Sequence, residues 1–170
     1  MLVHVADMEA SLMFWEGLLG FRVRRDTGWN NNPDFLRSAG APASAEVRVV
    51  VLGRPDDQTI DPGPGQPASI GLVQVTGVDA RSRRGRFEDR GYVHLSFWVA
   101  DLDAILATLA AAGVSPEGPV ITSAPVGPVL RSTFISDPDG VLISLVSRPL
   151  TAASDEQARP ERPRRGSRAS

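Results

Sequence analysis

The feature that most constrains this chain is an internal repeat. Val5-Ala6-Asp7-Met8-Glu9-Ala10-Ser11-Leu12 returns 94 residues later as Val99-Ala100-Asp101-Leu102-Asp103-Ala104-Ile105-Leu106, so two copies of one supersecondary unit are expected. Each copy reads as a strand feeding a helix. Asp7 and Asp101 supply an N-cap oxygen, and an acidic residue follows in the first turn, where the helix dipole favours it. Met8, Leu12, Trp15 and Leu19 share one helical face, as do Leu102, Ile105, Leu106 and Leu109. Gly20 and Gly113 then fit the left-handed position that ends a helix.

A second repeat lies further along each half. Ser69-Ile70-Gly71-Leu72-Val73 matches Leu142-Ile143-Ser144-Leu145-Val146. Each is β-rich and preceded by another β-rich run. In the second half that run joins through Asp137-Pro138-Asp139-Gly140, which suits a tight hairpin. In the first half it runs from Glu46 to Leu52 and is followed by a Pro/Gly-rich loop, 53–67. Each half therefore reads strand, helix, strand, strand, strand, giving a first module over 1–76, a linker over 77–90 and a second module over 91–149. Residues 150–170 turn to Ala, Ser, Pro and Arg and are expected to be a disordered tail.

Composition excludes several kinds of chemistry. The chain of 170 residues contains no cysteine, and all 18 of its basic residues are arginine. Thiol nucleophiles, disulfides, zinc–thiolate sites and Schiff-base lysines are therefore absent. A net charge of −2 gives no general reason to bind nucleic acid. No apolar run is long enough to span a membrane and the N-terminus lacks a leader pattern, so a cytoplasmic protein is expected.

Two consecutive units of this order, with V-A-D-x-[DE]-A opening the helix and D-P-D-G closing a hairpin, resemble the vicinal oxygen chelate superfamily. That group includes glyoxalase I, fosfomycin- and bleomycin-resistance proteins and extradiol dioxygenases. The resemblance covers Met1 to Arg148. It implies an α+β fold of two tandem βαβββ modules, whose curved mixed sheets form a cavity that a second chain often completes. A homodimer with a small-molecule ligand is expected on that basis.

The resemblance also implies where metal ligands would stand. One sits seven residues before each capping Asp, and one Glu sits in each last strand. Counting back from Asp101 reaches His94; counting back from Asp7 reaches the place just before Met1. The Glu positions fall on Gly71 and Ser144. One imidazole cannot fix a divalent ion, so no cofactor is expected, and His94 is the ligand if a metal binds at all.

Strand alternation extends the candidate site. Tyr92, Ser96 and Trp98 share the face of His94, while His4 stands opposite Trp98 in the repeat. His94 is the candidate general base, or else an inherited, hydrogen-bonded histidine. Tyr92 is a candidate phenolic donor, or a residue of the sheet margin. His4, Ser96, Trp98, Gly71 and Ser144 are candidate substrate contacts, and Trp29, in a turn-rich loop, either closes over a ligand or covers a sheet edge. Two functions stay open: metal-independent proton transfer on a small carbonyl or aromatic molecule, and sequestration of such a molecule without reaction.

Overall fold

The computed structural model describes residues 1–38, 40–54, 69–78, 94–123 and 129–149. Tyr92, the expected linker beyond residue 78, most of the 53–67 loop and the expected tail lie outside the described residues. The elements run β1 (Leu2–His4), α1 (Met8–Leu12), β2 (Arg22–Asp26), α2 (Pro33–Ser38), β3 (Val47–Gly53), β4 (Ile70–Val75), β5 (Leu95–Trp98), α3 (Leu102–Ala111), β6 (Ile121–Ser123), β7 (Leu130–Ser136) and β8 (Leu142–Ser147). They form two four-stranded mixed sheets, ordered β1-β4-β3-β2 and β5-β8-β7-β6. In each, the first strand pairs parallel with the last and the others are antiparallel.

The curvature expected of these sheets is overturned: both are flat. Bends in a sheet come from bulges and glycine kinks, and the pairings β3·β4, β7·β8 and β5·β8 hold continuous register. Among the described pairings the one register shift lies between Val23 and Arg25, where edge strand β2 meets β3.

Both repeated helices are capped as their sequences require. Asp7 Oδ1 accepts from the Glu9 and Ala10 amides at 2.9 and 3.1 Å, and Asp101 Oδ1 accepts from Asp103 and Ala104 at 2.9 and 3.0 Å. Gly20 and Gly113 take φ of 75° and 79°, as the helix ends demand. The first helix differs from expectation beyond Leu12, where it continues as a π-helix over Met13–Leu18. That wider turn buries two consecutive aromatics, Phe14 and Trp15, which a regular helix would splay by about 100°. The short α2, unmarked by any apolar period, closes a small separate cluster of Leu36, Ala45, Val47 and Val73 over one face of the first sheet.

The modules share a core on their helix sides. Trp15, fully buried, meets Phe14, Phe21 and Phe97 edge-to-face at centroid separations of 5.7, 5.6 and 5.9 Å, and Phe97 comes from the other module. The hairpin between β7 and β8 reinforces this joint. Asp139 accepts from the Ala6 amide at 2.9 Å and the Ser11 hydroxyl at 3.4 Å. A matched pair of ion clasps ties each helix to its sheet: Arg48 of β3 reaches Glu9 and Asp26, both at 2.7 Å, and Arg131 of β7 reaches Asp103 at 2.7 Å. Hydrogen bonding from Arg48 holds the Asp26 carboxyl below its ordinary range.

Asp137 is only 5% exposed. Its Oδ1 accepts from the Asp139 and Val141 amides at 3.0 and 2.7 Å. Its Oδ2 and Trp15 Nε1 lack a conventional hydrogen bond among the described residues, but the indole N–H still favours the carboxylate weakly. Burial outweighs these contacts and pushes the Asp137 carboxyl above its ordinary value. The native state therefore holds this proton more tightly than the unfolded chain. Stability contributed by the protonated group is complete below the unfolded pKa and is lost as pH rises through the folded one. The stability difference between wild type and Asp137→Asn, measured by urea unfolding, should be larger at pH 3 than at pH 7. A larger difference at pH 7 would mean that the charged form is the favoured one.

Candidate functional site

Strand parity gives the second sheet two unlike faces. Leu95, Ile135, Ile143 and Leu145 turn to the shared core and are buried. Ser96, Ser144 and Phe134 alternate with them and stand in one row across β5, β8 and β7. Trp98, Val146 and Ser132 form the next row. Adjacent strands lie about 4.8 Å apart, so the two serine hydroxyls of the first row are neighbours. His94 immediately precedes β5 and is half-buried, with its ring edge-on to Phe134 at 5.3 Å and 89°.

The structure thus brings His94, Ser96, Trp98 and Ser144 to one face of the sheet, on which Ser96 is exposed and Ser144 is buried. Trp98 remains 51% exposed there. His4 and Gly71 belong to the other sheet, where His4 pairs with Val73 and Gly71 with Leu2. Trp29 is exposed on the loop between β2 and α2, beside the Asn30–Val47 bridge. Trp29 thus belongs to the first module, and Tyr92 lies outside the described residues.

The corresponding face of the first sheet is filled. A Cβ added to Gly71 would overlap the Leu2 side chain, so Leu2 occupies the space that a side chain at this position would need. The Val47–Val73 cluster under Leu36 covers the adjoining rows. The two modules are therefore asymmetric on this face.

The metal-ligand positions that the resemblance implies hold few donors among the described residues. Gly71 has no donor, Ser144 offers a neutral hydroxyl, and no group of three His, Asp or Glu residues among those described could hold an ion. A hard divalent cation requires several oxygen or imidazole donors at fixed geometry.

Sequence reasoning missed two partners on the second sheet, of which one was legible. The hairpin register set by Asp137–Gly140 places Phe134 beside Ser144, and counting outward from that turn would have found it. Glu117 was not marked by any pattern; it approaches from the loop after α3, where its carboxylate accepts from the Ser136 hydroxyl at 2.5 Å.

A cavity of about 440 Å³ lies toward the helix side of the sheet, lined by Phe21, Phe97, Ile105 and Leu145 and also by Arg54 and Trp98. Its volume falls within the range of small-molecule sites, about 300–1,000 Å³. No periodic pattern marks it in the sequence, because its walls come from both modules.

Comparison with known proteins agrees with this architecture. Residues 1–145 match the model of the glyoxalase/bleomycin resistance protein/dioxygenase superfamily. No curated protein matches. Among solved structures, a glyoxalase family protein from Bacillus cereus is similar with a TM-score of 0.70 at 20% identity, over 86% of this chain and 90% of that one. A superfamily member from Sphaerobacter thermophilus gives 0.51 at 26% identity, over 87% and 94% of the two chains. The trypanothione-dependent glyoxalase I of Leishmania major gives 0.52 at 22% identity, over 86% and 83%.

The donor set yields a direct expectation. Protein dialysed against micromolar Mn²⁺, Ni²⁺ or Zn²⁺ should retain a substoichiometric amount of each. One tightly held ion per chain, lost in His94→Ala, would overturn this assignment.

Proposed function

The chain belongs to the glyoxalase/bleomycin resistance protein/dioxygenase superfamily, and from that premise we propose that it acts without a metal on a small carbonyl or aromatic molecule held on the open face of its second sheet. The observation that carries this reading is the alignment of His94 with the Ser96–Ser144 row. A neutral imidazole takes a proton from the carbon beside a carbonyl; the electron pair moves onto the carbonyl oxygen, and the serine hydroxyls donate hydrogen bonds to it. The imidazolium then returns the proton to the product. Trp98 offers an aromatic surface for the body of the substrate.

A second copy of the chain completes the site in this proposal. Edge strands β1 and β5 expose Leu2 and Trp98, at 57% and 51%, and open edges favour pairing. The flat second sheet cannot enclose a ligand alone, and a partner's module would supply the missing wall.

Sequestration is the second reading. It is favoured by the makeup of the paired rows, in which serines and apolar side chains accompany the exposed indole of Trp98.

Proton abstraction can be followed by NMR as deuterium incorporation into a panel of small hydroxy- and aryl-ketones in D₂O, at a concentration where light scattering gives the dimer mass. His94→Ala should slow exchange by about 100-fold or more. Quenching of tryptophan fluorescence without exchange supports sequestration. Exchange unaffected by the substitution removes His94 from the reaction.

A further inference from the structure

The internal repeat lets the helix-side cavity be compared residue by residue with the first module. Leu109 holds the place of Trp15: the Val114 N–H donates to the Leu109 carbonyl at 2.9 Å, as the Phe21 N–H donates to the Trp15 carbonyl at 3.0 Å, and both side chains are fully buried. Counting back one residue sets Thr108 against Phe14. Phe14 is buried in the core. Thr108 is exposed and lines the cavity, and its hydroxyl is spent on its own helix, donating to the Ala104 carbonyl at 3.1 Å.

The walls have changed in the opposite sense. Phe97 and Phe21, which line the cavity, stand in the repeat where Val3 and Val114 stand. Their rings meet edge-to-face at 5.4 Å and 79°. The chain takes five steps from Trp15 to Gly20 and four from Leu109 to Gly113. The π-helix over Met13–Leu18 accommodates the extra residue, a device frequent at functional sites, and the residues that follow it, Leu19, Gly20 and Phe21, form one wall. Relative to its place in the first module, the cavity has lost a ring from its helix and gained two on its walls.

The charges of the lining narrow the ligand further. Among the described lining residues they are Arg54 and Asp101, opposite in sign, so neither an anion nor a cation is favoured. Asp101 Oδ1 caps α3 through two amides. Arg54 Nη2 donates to the Trp98 carbonyl at 3.3 Å, which holds a guanidinium where it can attract the face of an aromatic ring.

We propose that this cavity binds an uncharged aromatic molecule of one or two fused rings. Its ring lies against Thr108, taking the part that Phe14 plays in the first module. It packs edge-to-face on Phe21 and Phe97 and offers a face to Arg54, while Ile105 and Leu145 supply apolar contact. This goes beyond the reading of His94, because His94, Ser96 and Ser144 do not line the cavity; Trp98 borders both places.

Calorimetric titration of the full chain with 2-naphthol, and with decahydro-2-naphthol as its saturated match, tests the proposal. 2-Naphthol should saturate one site per chain whose nuclear Overhauser contacts reach the Ile105 and Thr108 methyl groups. The saturated alcohol, which lacks a ring quadrupole, should bind there more weakly by about threefold or more. Thr108→Phe, at an exposed helix position, should fill the cavity and remove this binding while circular dichroism shows the fold retained. His94→Ala should leave the titration and the contacts unchanged, so failure of the catalytic reading leaves this result standing. Absence of saturable binding, contacts to the His94 ring with none to Ile105 or Thr108, a smaller preference for the aromatic alcohol, or binding undiminished by Thr108→Phe would each overturn the proposal.

Discussion

The packing of Trp15 against Phe21 and Phe97 is the contact on which the rest of the molecule depends. Edge-to-face pairs of this kind contribute about 0.5–1.5 kcal/mol each beyond the area they bury, and here they join one module to the other. Neither four-stranded sheet has a second layer of its own except the helix that crosses it. Back-to-back packing gives both a common apolar interior, in which Val50, Leu52 and Leu72 belong to the same cluster as Ile135, Ile143 and Leu145. The π-helix follows from this demand: two adjacent aromatics must enter one core, and widening the last turns admits both.

Duplication is clearest where it has been kept and most informative where it has been lost. The Arg48–Glu9 and Arg131–Asp103 clasps recur at matched places, since each fastens the first turn of a helix to a strand at the same register. The hairpins have diverged. The second module closes with a four-residue turn whose Asp139 carboxylate fastens onto the first helix; the first module has Arg54 and a long loop in that place. Gly71 and Leu2 show a second divergence: the Leu2 side chain fills the space that a side chain at position 71 would need, whereas the matching place in the second module carries Ser144.

Much of this was legible in the residues. The repeated V-A-D segments gave both caps and both helix ends, because local hydrogen bonds and glycine conformation act over four or five residues. The β order followed from matched strands and the D-P-D-G turn. Curvature was not legible: it depends on bulges, which a sequence of Val, Leu and Ser does not announce, and the resemblance supplied an expectation that the continuous registers overturn. The short α2 escaped because it buries Leu36 against a neighbouring strand rather than through an apolar period of its own. Parity placed Ser96, Ser144 and His94 together without a structure. The cavity required tertiary knowledge, since Phe21 and Ile105 are 84 residues apart in sequence.

Parity also explains how one thin sheet can serve two different surfaces. Along β8, Ser144 faces outward and Leu145 inward; along β5, Ser96 and Phe97 do the same. A one-residue slip would exchange every polar group of the open face with an apolar group of the core. What fixes the register is the turn at Asp137–Gly140, with Gly140 at φ 84° and the Asp137 carboxylate holding two backbone amides. That same turn carries Asp139 to the first helix. The hairpin therefore sets the orientation of both faces and fastens the modules together. This dual role accounts for a buried carboxyl being kept there despite the cost of its burial.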